Sequence, residues 1–171
     1  GLNYRREPLT AKLDYEPDRI SSTALAEFTV ESVGHVNTLY AAADRGAWPA
    51  FDDLPRRFAP AFVEVQRRLG ATRTAIVGRP KTTLLSAYFR RAGIDGMMNP
   101  FSLEVLVNHT VLPYERPFLV AHEWAHLAGY ANEAEASFVG FLVCLAGDAQ
   151  SRYSAWLFLV PQLVRHLPDD E

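Results

Sequence analysis

Residues 120–144 read VAHEWAHLAGYANEAEASFVGFLVC. The stretch is apolar almost throughout, yet it holds His122, Glu123, His126, Glu133 and Glu135. Burying an ionisable group is costly unless it meets a partner, so five of them in the greasiest part of the chain ask for a common one. His122, Glu123 and His126 form HExxH. On a helix, residues four apart share a face, so both imidazoles point the same way and can reach one Zn²⁺. Glu123 stands beside the first of them, where it can take a proton from water held at the metal. Phe118, Leu119, Val120, Ala121, Trp124, Ala125, Leu127 and Ala128 make this helix apolar nearly all round, and three ionisable groups on a buried helix need a strong partner.

A catalytic zinc takes three protein ligands and keeps one position open for water. In the HExxHxxGxxH pattern the third ligand would fall on position 132, which is Asn132, a poor zinc ligand. A following helix offers two others. Glu133 shares a face with Ser137, Gly140, Cys144 and Gly147, all small, which allows close packing against the HExxH helix and brings Glu133 to the metal. Glu135 shares a bulkier face with Phe138, Val139 and Leu142. Glu133 is therefore the preferred ligand. Glu135 is read as an acceptor for a ligand imidazole or as an exposed charge at a helix start. Tyr153 is a candidate donor to the tetrahedral intermediate. His35, His109 and His166 read as ordinary polar residues, and Cys144 as a small buried one.

The rest of the chain sets the frame. At 171 residues and 49% hydrophobic content it can bury a sizeable core as one domain, 1–171. Net charge is -3, with no basic run, which disfavours nucleic acid as a partner. One cysteine excludes an internal disulfide and a cysteine-built zinc site. No apolar run reaches the ~18 residues of a membrane span. Residues 1–19 read as an irregular or short-strand lead-in. Helices are expected over about 21–45, with Leu25, Phe28, Val33, Val36, Leu39, Tyr40 and Ala43 on one apolar face, and over 55–69, 117–128, 133–147 and 151–167, the last disturbed by Pro161. A further helix is expected over 82–91, a short β-branched segment at 75–77, and one half-exposed strand over 97–107. The sum is an α+β, mainly helical, zincin-like domain with a small sheet.

GMMNPFSLEVLVN, LPYERPFLVAHEWAHLAGYANEAEASF and RYSAWLF together resemble an uncharacterised bacterial family of HExxH proteins known only as a domain of unknown function. More distantly, the motif resembles zinc peptidases whose third ligand is a helix-borne glutamate three residues before an alanine, here Glu133 before Ala136. Two departures from the family pattern, Ser102 and Ser137, are expected to leave the chemistry untouched. The resemblance implies the soluble part of a membrane-anchored bacterial protein with its anchor ahead of Gly1; the side of the membrane is left open, the extracytoplasmic one being favoured. The main expectation is a zinc-dependent peptidase acting on peptide or protein substrates, with His122, His126 and Glu133 on Zn²⁺ and Glu123 as general base. The strand around 102–108 is expected to be the edge on which an extended peptide docks. The rivals are a non-hydrolytic zinc-binding sensor or interaction domain, and a hydrolase of some other amide such as a cell-wall crosslink.

Overall fold

The computed structural model describes residues 7–16, 20–82, 91, 95–99 and 104–168. Its elements are α1 (Leu9–Lys12), α2 (Ser22–Ala43), a 3-10 turn (Phe51–Asp53), α3 (Leu54–Arg68), β1 (Lys81–Thr82), β2 (Gly96–Asn99), β3 (Glu104–Val107), α4 (Arg116–Leu127), α5 (Glu133–Leu145) and α6 (Ala149–Val164). The chain is mainly helical with one small sheet. No described helix is long and apolar enough to cross a membrane.

The helix boundaries follow from the local chemistry. Ser21 caps α2 by accepting the Ala24 N–H at 3.1 Å. Pro55 occupies the first turn of α3, and Gly70, at φ +77°, ends it in the left-handed region. Asn132 Oδ1 accepts from the N–H groups of Ala134 and Glu135 and so starts α5. Asp148 does the same for α6 through Ser151. Pro161 lies in the last turn of α6, which continues to Val164.

The core forms where α3 meets α4. Leu54, Phe58, Phe62 and Val65 line one face of α3. Trp124 of α4 inserts between Phe58 and Phe62, edge-on to both at 6.2 and 6.1 Å, and donates its indole N–H to the Gly78 carbonyl. Full burial of an aromatic contributes roughly 2–3 kcal/mol, so this face anchors α4 while its opposite face is left for the histidines.

Five expectations need correction. Residues 75–77 are not a strand: Ala75 is held by the buried Gln66 side chain, which accepts its N–H and donates to its carbonyl. The single strand expected over 97–107 is two, β2 and β3, paired antiparallel with Met98 opposite Val105. The sheet order is β1-β3-β2, with β1 parallel to β3. β3 is therefore the central strand and offers no docking edge. The lead-in contains a helical turn, α1, whose Leu9 is buried in the core. The expected apolar face of α2 is buried only in part: Ala43 is buried and Leu25, Val36 and Leu39 are half-buried, while Phe28, Val33 and Tyr40 are exposed and Thr29 and Ser32 are buried in their place. The Thr29 and Ser32 hydroxyls donate to carbonyls of their own helix, so they meet α6 with their hydrogen bonds satisfied. The helix expected over 82–91 and Ser102 lie outside the described residues, apart from Thr82, in β1, and Arg91.

Candidate metal centre

α4 carries His122, Glu123 and His126, and α5 crosses it close enough to add Glu133. The close approach has a visible cause. A Cβ added to Gly140 would sit 2.9 Å from the His122 backbone nitrogen and 3.1 Å from its Cα. Only glycine lets the two backbones meet there, as the small face of α5 led one to expect.

The donor atoms converge. His122 Nε2 and His126 Nε2 lie 3.1 Å apart. The Glu133 carboxylate completes the triangle, with Oε2 3.3 Å from His122 Nε2 and Oε1 3.4 Å from His126 Nε2. Two ligands at ~2.0–2.1 Å from a tetrahedral zinc stand about 3.3–3.4 Å apart, so the set fits a metal without rearrangement. Among the described residues these three form the one His/Cys/Asp/Glu cluster with metal-ligand spacing.

The far side of each ring is also held. His126 Nδ1–H donates to the Tyr130 carbonyl at 2.8 Å, which leaves Nε2 with a free lone pair. His122 Nδ1 lies 3.3 Å from Ser137 Oγ. Such partners fix tautomer and ring direction at metal-binding histidines. Ser137 thus touches the site, contrary to the expectation from sequence. Burial, and next the neighbouring His126, lower the His122 pKa, while Glu133 raises it. A neutral imidazole is the metal-binding form.

Glu123 is 5% exposed. Burial, with a smaller contribution from the Glu133 charge, pushes its carboxyl from 4.5 up to about 7, opposed by a hydrogen bond from the Met98 backbone N–H. A carboxylate poised near neutrality beside a metal centre suits a general base.

These groups open onto a cleft of about 1050 Å³. One wall is β2, through Gly96, Met97 and Met98. The other is α6, through Leu157, Phe158 and Arg165. Phe118 and Phe158 stack across its floor at 3.8 Å, and Ser154 Oγ accepts the Phe118 N–H.

Two candidates fall elsewhere. Tyr153 is on another face of α6, against Tyr40 and Trp48 at 6.2 and 6.0 Å, and does not line the cleft. Helical phase explains this: its neighbour Ser154 takes the cleft side. Glu135 does not touch an imidazole; it accepts the Leu9 N–H at 2.6 Å and fastens the lead-in to α5. Asn132 spends its side-chain oxygen on the α5 cap. His166 bonds the Gln162 carbonyl, and His35 stacks on Trp156. Cys144 is fully buried, and burial pushes its thiol pKa up, away from the thiolate a metal would need. Sequence reasoning missed Gly96 and Met98.

No curated protein and no solved structure matches the chain. A family match extends over residues 1–171. The chain belongs to the family described as "Protein of unknown function (DUF3810)".

Proposed function

We propose that the chain is a zinc-dependent hydrolase, a metallopeptidase of the glutamate-ligand kind. The convergence of two Nε2 lone pairs and a carboxylate at 3.1–3.4 Å, on the wall of a large cleft, carries this reading. His122, His126 and Glu133 would hold Zn²⁺, which supplies Lewis acidity for polarising a carbonyl and for making water acidic at neutral pH.

Glu123, buried beside this centre, takes the proton from the attacking water and gives it to the departing nitrogen. Ser137 and the Tyr130 carbonyl hold the ligand rings in place. The substrate is an extended peptide laid along β2, whose outer edge faces no other strand among the described residues.

The test combines elemental analysis with a cleavage assay on an unbiased peptide pool. One zinc per chain and hydrolysis that disappears in Glu123→Gln support the reading. Stoichiometric zinc with no hydrolysis of any peptide would favour a sensor or interaction domain instead.

A further inference from the structure

The hydrogen-bonding phase of β2 is fixed by its neighbours. Asp95 accepts the Asn108 N–H at 2.8 Å, which continues the β2–β3 ladder by one pair. In an antiparallel pair, successive residues alternate between facing the partner strand and facing away. Asp95, Met97 and Asn99 therefore turn their backbone groups to β3, and Gly96 and Met98 turn theirs outward. The outward Met98 N–H is not idle: it donates to the Glu123 carboxylate. Gly96 presses on the same carboxylate from the strand side. A Cβ there would lie 2.9 Å from Glu123 Oε1 and 3.1 Å from Leu119 Cδ1. The candidate general base is thus clasped by the strand on which a peptide would dock.

We infer that β2 is a substrate-operated latch on Glu123. An extended peptide that pairs with the outer edge of β2 must use the backbone groups of Gly96 and Met98, because the alternate residues are spent on β3. It takes the Met98 N–H for its own carbonyl and so frees the Glu123 carboxylate at the moment the scissile bond arrives. A peptide too short to form that pair leaves the latch closed. The inference rests on the hydrolase reading and adds to it a length requirement: the substrate is an extended segment recognised through its backbone.

The chain has two methionines, Met97 and Met98, so labelling methionine with ¹⁵N gives one backbone signal facing β3 and one facing Glu123. Glu123→Ala should speed exchange of the Met98 amide at least about tenfold and leave Met97 unchanged. Glu123→Gln, which keeps an oxygen acceptor, should retain most of the protection. A Met98 amide indifferent to Glu123→Ala overturns the latch whatever the activity of the enzyme. The gating is then read with zinc-loaded protein on a capped dipeptide and a capped octapeptide that the wild type cleaves. Met98→Pro removes the outward N–H, a change tolerated at a strand edge. It should raise KM for the octapeptide about tenfold and, with the latch removed, raise kcat/KM for the dipeptide. An equal loss on both substrates overturns the gating. A wild type that cleaves neither overturns the hydrolase reading and the gating together, and leaves the Met98–Glu123 contact to be judged by exchange alone.

Discussion

Ser137 Oγ lies 3.3 Å from His122 Nδ1, one helical turn beyond Glu133 on the same face of α5. One helix therefore supplies both a candidate ligand and the group that aims another. A His122 ring that donates its Nδ1–H to Ser137 keeps the Nε2 lone pair free for a metal. Ser137→Ala should lower zinc affinity by about 10–100-fold with the fold intact, as read by competition with a chromophoric chelator. Ser137→Asn, which restores an acceptor, should recover part of it. Unchanged affinity in Ser137→Ala would mean that the ring is held by packing alone.

His122 and His126 should each be required for stoichiometric metal. Elemental analysis of His122→Ala decides this, and full occupancy in that variant sinks the assignment of the site. Glu133→Gln should lose far more affinity than Glu135→Gln, because Glu135 is engaged with Leu9 and not with a ligand.

Glu123→Gln should fold, keep its zinc and lose hydrolysis by at least about a hundredfold. Gln preserves size and hydrogen bonding but cannot accept the proton. Equal cleavage by wild type and variant would refute the assigned role of the carboxylate.

The metal-free protein should show a pH dependence traceable to the same residue. The folded Glu123 carboxyl sits at about 7 against 4.5 ordinarily, so the folded state holds the proton more tightly than the unfolded one. This contribution to stability is fully present below pH 4.5 and is lost as pH rises through about 7. It should amount to about 3 kcal/mol between those limits. His122 works the other way, since its lowered pKa favours folding as pH rises past the ordinary imidazole value. Chemical denaturation of metal-free Glu123→Gln and wild type at pH 5 and pH 8 separates them. The variant should gain on wild type at pH 8, and an equal difference at both values contradicts the burial argument.

Gly140→Ala should force α5 off α4, because its Cβ meets helix backbone and not the end of a flexible side chain. A loss of about 1–3 kcal/mol in stability is expected, together with weaker zinc binding, since the same crossing brings Glu133 to the histidines. Thermal melts with and without zinc measure both.

What could be read in advance was periodic or chemically conspicuous. The HExxH pair and the small face of α5 each follow from spacing along a single helix. What could not be read depends on which element lies beside which. The 97–107 stretch alternates equally well as one strand or as two, and β3 is central because β1 and β2 pair with its two edges. Tyr153 was one helical step out of phase with the cleft. Thr29 and Ser32 can be buried because their hydroxyls are satisfied within their own helix, a pairing that hydropathy alone does not show. Gly96 gave no hint that it abuts a carboxylate 27 positions later in the chain.

The Leu9–Glu135 hydrogen bond joins residues 126 positions apart, and this separation sets an order of assembly. Closing so long a loop costs about 4 kcal/mol of chain entropy by the logarithmic law. At ~5–20 residues per second, translation leaves Leu9 waiting about ten seconds for its partner to be made. Until then its apolar side chain has no core to enter, because α3 must first be covered by α4 and α5. The lead-in is therefore among the last pieces to dock. When it does, it fastens the helical turn that presents Glu133, so the completed candidate site reports that both halves of the chain have met.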